Sequence, residues 1–235
     1  MIQHRPIGGG TKRPYFTDND FERIAEDELT AQGLFPSSPR AIRVERFIER
    51  RFGITPAYDR LPVGILGYTE FGPGGSVQAV IVSRHLSERG SRVDERRLNT
   101  TLAHEAGHGL LHAHLFALDT FPRDLFGDTD DVKLTQILCR EEASSGPMAG
   151  AYQGRWWEYQ ANRMMGALLL PKSLVAESLK NLVELRGMLK TPVLPPGERD
   201  VAARRLAGVF DVNPVVARIR IDQLYPVEDL GQLTL

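Results

Sequence analysis

The stretch that decides the fold covers residues 104–114 and reads His104-Glu105-Ala106-Gly107-His108-Gly109-Leu110-Leu111-His112-Ala113-His114. His104 and His108 are four residues apart, so on a helix both imidazoles project from one face, about 6 Å apart along the axis. That separation suits two ligands of one divalent metal ion. Glu105 lies ~100° around the helix, where it can act as a general base toward a water molecule at the metal. The pattern is H-E-x-x-H, which is typical of zinc metallopeptidases.

Three side chains compete for the third ligand position. On a straight helix His112 lies about 6 Å beyond His108, so we expect it in the core or as a hydrogen-bond partner of a ligand. His114 has the spacing of H-E-x-x-H-x-x-G-x-x-H, but Leu111 stands where that motif needs glycine. Glu158 begins a separate helix whose neighbouring residues are mostly apolar, and a buried carboxylate needs a partner. We therefore expect Glu158 to be the third ligand.

Asn162 lies one turn after Glu158 on the same helix face, where we expect it to orient a ligating imidazole. Two histidines and one glutamate leave a fourth position open for water, as a catalytic zinc requires. Zinc is the expected metal, and manganese and iron are alternatives because they bind similar ligands. The alternative interpretation is a helix with unmetallated histidines and a solvated Glu158.

Periodicity along the rest of the chain predicts an α+β fold. A capping pair, Ser91 and Asp94, begins the long helix that carries the motif, and the turn Pro73-Gly74-Gly75 separates two strands. Two glycines in mid-helix, Gly107 and Gly109, indicate that another backbone packs closely there, with loose packing as the alternative. The predicted helices lie near 20–29 and 42–52, over 92–116, 156–170 and 171–183, and around 201–210 and 214–224, with strands over 64–71 and 77–82 and an inserted strand over 134–139.

Composition excludes several classes of protein. The chain has 235 residues and a formal net charge of -1, which offers no general attraction for nucleic acid or membranes. Its single cysteine, Cys139, cannot form an internal disulfide, and no run approaches the ~20 apolar residues of a membrane span. We therefore expect a cytoplasmic protein with a flexible tail (1–18), a main domain (19–190), a proline-rich linker (191–197) and a C-terminal helical segment (198–235) packed on the core.

The helix motif and a second stretch together resemble the ImmA/IrrE metallopeptidases. The second stretch is Glu158-Tyr159-Gln160-Ala161-Asn162-Arg163-Met164-Met165-Gly166-Ala167-Leu168-Leu169-Leu170-Pro171. That family shows an H-E-x-x-H-x-x-x-H helix, then E-x-x-A-N and a small-apolar run ending in Leu-x-Pro. The resemblance covers about residues 20–189, and more loosely 210–224. It implies a compact, gluzincin-like zincin fold, with zinc on His104, His108 and Glu158 and with Glu105 as the base.

By the same resemblance, we expect a zinc-dependent endopeptidase that cleaves a partner repressor of the XRE helix-turn-helix type. Two departures stand out. The 49 residues between His108 and Glu158 exceed those of compact members. Because we see no helix-turn-helix domain before the peptidase, we expect the repressor to be a separate chain. The alternatives are a catalytically silent zincin that binds a regulator and, with less support, a DNA-binding protein that uses the helices over 201–224. We expect no direct contact with nucleic acid or membranes.

Other features of the sequence suggest accessory roles. The strand Val77 to Val82 is the expected edge for pairing with an extended substrate. Tyr152, Arg155 and Tyr159 are candidates for stabilising an oxyanion because they lie near Glu158 in sequence. Cys139 is either a buried structural residue or a regulatory zinc-binding thiolate. The aspartate-rich residues 119–131 are expected to form a solvated loop.

Overall fold

The structure is a computed structural model that describes residues 3–6, 12–88, 90–116, 132–133, 136–140 and 155–227. This part of the chain combines helices with small sheets, as the predicted α+β class requires. The predictions for residues 119–131 and for Tyr152 lie outside the described residues. The helices are α1 (Asp18–Ala31), α2 (Val44–Phe52), α3 (Arg84–Glu88), α4 (Arg92–Leu111), α5 (Trp156–Leu169), α6 (Lys172–Leu179), α7 (Arg199–Val209) and α8 (Pro214–Leu224). The strands are β1 (Gln3–Pro6), β2 (Lys12–Tyr15), β3 (Ala57–Asp59), β4 (Ile65–Phe71), β5 (Val77–Ser83), β6 (Val132–Lys133), β7 (Gln136–Arg140), β8 (Glu184–Arg186) and β9 (Thr191–Val193).

Five strands form one mixed sheet in the order β3-β5-β4-β7-β6. β4 and β5 are antiparallel, with Tyr68 opposite Ile81, and the predicted turn at Pro73–Gly75 joins them. β7 pairs antiparallel with the other side of β4, which confirms an inserted strand where one was predicted over 134–139. Helix α4 packs against β4 and β5, so the sheet supports the helix that carries the H-E-x-x-H motif.

The prediction that Val77 to Val82 is an edge strand is wrong at Ile81 and Val82, which pair with β3. β3 pairs in parallel with this end of β5 and places Ala57 opposite Ile81 and Asp59 opposite Ser83. β3 has little signal in its sequence pattern, because its side chains alternate only between exposed and half-buried positions.

Helix α4 begins as predicted and ends earlier than predicted. The side chain of Ser91 accepts a hydrogen bond from the backbone N–H of Asp94 at 3.2 Å. The helix stops at Leu111 instead of reaching Phe116, and Ala113–Leu115 forms a 3-10 turn. That turn buries Leu115 in a second apolar cluster, whose other buried members are Phe71, Ile137, Trp156 and Trp157.

Helix α5 lies against α4 and ends at Leu169, one residue before the predicted end, and α6 begins after Pro171. The predicted close approach of a backbone occurs at Gly107, which faces Ala161 of α5. The neighbours of Gly109 are instead the side chains of Phe52 and Val77. The packing at Gly107 brings the two helices that carry the candidate ligands close together.

The C-terminal helices α7 and α8 pack on each other, and buried Arg220 joins them to the core. Its guanidinium donates from Nε to the carbonyl oxygen of Leu170 (3.0 Å) and from a terminal nitrogen to Glu22 (2.6 Å). Residues 191–197, predicted as a linker, begin instead with β9, which pairs antiparallel with β8. Gly187 and Lys190 adopt positive φ in the connection between these strands.

The segment predicted as a tail also contains paired backbone. β1 and β2 are antiparallel, with Gln3 opposite Tyr15, and helix α1 follows directly with Thr17 as its N-cap. The Pro14 carbonyl accepts a hydrogen bond from Gln160 of α5, so this hairpin contacts the core. In the described ranges, no helix combines the length and the apolarity needed to cross a membrane.

Candidate metal centre

The structure brings the three predicted ligands together. His104 and His108 project from one face of α4 with their Nε2 atoms 3.0 Å apart. Glu158, in the first turn of α5, places Oε2 3.2 Å from Nε2 of His104 and Oε1 3.3 Å from Nε2 of His108. All three side chains are buried. This His-His-Glu cluster could hold a metal ion.

The geometry and the unmet polar groups fit a bound cation. Ligands held tetrahedrally at ~2.0–2.1 Å lie roughly 3.3 Å from one another, which is close to the observed separations. Neither carboxylate oxygen of Glu158 has a hydrogen bond of acceptable geometry among the described residues. Burying an ionised carboxylate in that state is costly, and a cation beside it would remove the cost.

The electrostatics of the cluster favour the forms that bind metals. Burial alone would raise the pKa of Glu158, but His104 and His108 outweigh burial and hold that pKa well below its usual value. Burial lowers the pKa of His108, and the attraction of Glu158 offsets this only in part. An ionised carboxylate beside a neutral imidazole is the state that a divalent ion requires.

The imidazoles of His104 and His108 each have a polar contact at Nδ1, the ring nitrogen that faces away from Glu158. The Oδ1 atom of Asn162 lies 3.0 Å from Nδ1 of His104, which is the contact expected of Asn162. His112 lies in the core and places its Nδ1 atom 2.9 Å from Nδ1 of His108. These contacts fix each ring with Nε2 toward the cluster, as hydrogen-bond partners of ligating histidines commonly do.

Sequence reasoning missed Gln160. Its Oε1 atom lies 3.1 Å from Nε2 of His112, and its Nε2 atom donates to the carbonyl oxygen of Pro14 at 2.9 Å. One signal was available, since Gln160 is a polar residue among the apolar neighbours of a buried helix. Its partner Pro14 could not be found in this way, because 146 positions separate the two residues.

Glu105 is fully buried, next to the cluster on α4, and held by strand β4. The Thr69 hydroxyl lies 2.7 Å from Oε2 of Glu105 and 3.0 Å from its backbone carbonyl oxygen. Burial raises the pKa of Glu105 to about 8, although His104 and the hydrogen bond of Thr69 both oppose that rise. A Cβ at Gly67 would lie 3.2 Å from Oε1 of Glu105, so glycine leaves room for the carboxyl group.

The remaining sequence candidates lie apart from the cluster or outside the described residues. His114 is exposed in the 3-10 turn and is not a member of the ligand group. Arg155 and Tyr159 are half-buried at the start of α5, and the Arg163 guanidinium lies 5.8 Å from the centre of the Tyr159 ring. The backbone of Cys139 pairs with Gly67 in the sheet, while its side chain is outside the described part.

Comparison with models of known protein families gives no match, and comparison with curated proteins gives no significant match.

Proposed function

We propose that this chain is a zinc-dependent endopeptidase of the ImmA/IrrE type. The observation that carries the proposal is the convergence of His104, His108 and Glu158 from two helices, with Glu105 next to His104 in the chain. Two imidazoles and one carboxylate form a ligand set that zinc peptidases use, and three protein ligands leave a coordination position for water.

Zinc suits this mixed nitrogen and oxygen donor set, and manganese and iron are the alternatives. When bound, it would acidify a water molecule and polarise the peptide carbonyl. Asn162 and His112 would hold His104 and His108 in their ligating orientations through the contacts at Nδ1. Burial of the site would keep competing water away from the reacting groups.

Glu105 is the proposed general base. Its carboxylate would take a proton from the attacking water as the water oxygen bonds to the carbonyl carbon of the peptide. It would then deliver that proton to the leaving nitrogen as the C–N bond breaks. Thr69 supports this role because its hydroxyl contacts the Glu105 carboxyl group and limits its rotamers.

The proposed substrate is a separate repressor of the XRE helix-turn-helix type. This part of the proposal comes from the family resemblance of the two motifs. It requires cleavage within the chain of the repressor, which would release the genes that the repressor controls.

The proposal is tested with the purified full chain, zinc and the repressors encoded near its gene. We expect fragments, detected by mass spectrometry, that disappear with a chelator and return when zinc is restored. Glu105→Gln should retain zinc and lose cleavage, whereas Glu95→Gln, at an exposed position of the same helix, should retain both. Cleavage by Glu105→Gln at the wild-type rate would show that Glu105 is not the base.

A catalytically silent protein that binds a regulator is the second candidate function. The full burial of Glu105 favours it, because a base must reach its substrate. This candidate predicts a zinc-loaded protein that binds a repressor without cutting it. Glu105→Gln would then leave the affinity for the repressor unchanged.

A further inference from the structure

A continuous set of polar contacts runs from strand β2 to a candidate metal ligand. Gln160 donates from Nε2 to the carbonyl oxygen of Pro14 (2.9 Å), and its Oε1 atom lies 3.1 Å from Nε2 of His112. The other ring nitrogen of His112 lies 2.9 Å from Nδ1 of His108. All four residues are buried, so water does not compete for these contacts.

The chemistry of the groups fixes the direction of every bond in this set. A carbonyl oxygen only accepts, so the NH₂ group of Gln160 faces Pro14 and the amide oxygen faces His112. Because that amide oxygen also only accepts, the Nε2 atom of His112 must carry a hydrogen. In the neutral form of His112, Nδ1 then bears the lone pair.

The hydrogen shared by the two Nδ1 atoms therefore belongs to His108. A neutral imidazole with its hydrogen on Nδ1 has its lone pair on Nε2. Nε2 of His108 is the atom that faces His104 and Glu158. The reversed order of hydrogens would place a hydrogen on that atom and block its use as a ligand.

We propose that Gln160 and His112 are positioning residues that hold His108 in the tautomer able to bind a metal through Nε2. The Pro14 carbonyl sets the direction of the hydrogen bonds that link Gln160, His112 and His108. The inference rests on the metal centre of the proposed function, but not on peptide cleavage. It makes the N-terminal hairpin, through β2, part of the support of the metal centre.

The first test of the proposal is to determine the tautomer of His108 in the metal-free full chain. Long-range ¹H–¹⁵N correlation spectra distinguish a protonated ring nitrogen from one with a lone pair, and His108→Gln assigns the signals. We expect hydrogen on Nδ1 of His108 and on Nε2 of His112. Hydrogen on Nε2 of His108 would overturn the proposal even if no variant could be purified.

Two variants of Gln160 test the cause. Gln160→Met removes the acceptor for His112, and we expect a mixture of His108 tautomers and a zinc affinity lower by about 10–100-fold. Gln160→Glu keeps an acceptor oxygen, so it should retain the wild-type tautomer of His108. Gln223→Met is a matched control, because Gln223 contacts Arg220 on α8 and lies outside this set of residues.

The outcomes separate this inference from the proposed function. Wild-type spectra for Gln160→Met would contradict the positioning role, as would a zinc affinity equal to that of Gln223→Met. Neither measurement involves a peptide substrate. A protein that shows the expected tautomers and cuts no repressor would refute the proposed peptidase while supporting this inference.

Discussion

The backbone of Ala161 lies directly opposite Gly107. A Cβ atom built on Gly107 would be 3.1 Å from the carbonyl oxygen of Ala161 and 3.4 Å from its Cα atom. Gly107 precedes the candidate ligand His108, and Ala161 lies one turn after Glu158. The absence of a side chain at Gly107 thus sets the distance between the two helices that contribute the metal ligands.

Gly107→Ala should therefore destabilise the protein in spite of the better helix propensity of alanine. Overpacking of a close contact typically costs ~1–3 kcal/mol, whereas the gain in propensity is at most ~1 kcal/mol. We expect a lower free energy of unfolding in urea and a weaker affinity for zinc. The control is Gly208→Ala in α7, where a new Cβ has no atom within 4 Å. This substitution should stabilise the protein. Equal effects of the two substitutions would contradict the role of this contact.

Glu158→Gln should remove most of the stabilisation that zinc gives. A ligand that binds only the folded state stabilises it by ~2.7 kcal/mol when its concentration is 100 times its dissociation constant. At a zinc concentration that saturates the wild type, we expect the variant to gain far less, because an amide is a poorer ligand than a carboxylate. The measurement is thermal unfolding with and without zinc. The matched variant Glu177→Gln, at an exposed site on α6, should gain as much as wild type.

Local sequence pattern predicted the elements whose apolar residues recur at regular spacing. The cap at Ser91, the β4–β5 hairpin and the strand β7 all follow from short-range signals. β8 and β9 could not be found, because their side chains are almost all exposed and one of them is a proline. The end of α4 at Leu111 was also missed, since Leu115 continues the helical spacing but is buried in the second apolar cluster.

In the candidate site, too, local sequence pattern predicted some residues and missed others. The spacing within helices selected His104, His108 and Asn162, and the apolar neighbours of Glu158 selected that residue. The structure brings these four side chains together. Thr69 was missed because its contact with Glu105 joins a strand to a helix 36 residues away. Such contacts depend on the packing of elements, which periodicity does not report. The available signal was the alternation of the strand, which places Thr69 on the same face as Phe71.

Thr69→Val should leave the Glu105 carboxyl group without its hydroxyl contact. Valine has nearly the same shape, so the change removes the hydrogen bonds and little else. Loss of a partner for a buried polar group costs about 1–3 kcal/mol, and we expect unfolding in urea to show a loss of this size. Thr69→Ser keeps the hydroxyl, so its free energy of unfolding should fall less than that of Thr69→Val. Zinc stoichiometry should stay at the wild-type value in both variants, since the Thr69 hydroxyl bonds to Glu105, which is not one of the three proposed ligands. A valine variant as stable as the serine variant would contradict the structural importance of this bond.

The ion pairs of Asp211 predict a dependence of stability on pH. The hydrogen bond from Arg96 is the main cause that lowers the pKa of Asp211 below 3.8, and Arg92 adds to it while burial opposes it. The unfolded chain therefore binds a proton more readily than the folded one. The resulting stability is complete above the unfolded pKa and is lost as the pH falls through the folded pKa. Asp211→Asn removes the charge and suits the left-handed backbone there, where φ is 52°.

We expect this substitution to cost below about 1 kcal/mol at pH 7, because partly exposed ion pairs contribute little. The cost should shrink as the pH falls from the unfolded pKa of 3.8 through the lower folded pKa, where the wild-type carboxylate takes up a proton. A double-mutant cycle with Arg96→Gln isolates the pair, and its coupling energy should fall over the same range. High salt should weaken this coupling only in part at neutral pH, since the Arg96 side chain is 13% exposed and that of Asp211 is 37% exposed. A coupling energy that stays constant on acidification would show that Arg96 is not what lowers the pKa of Asp211.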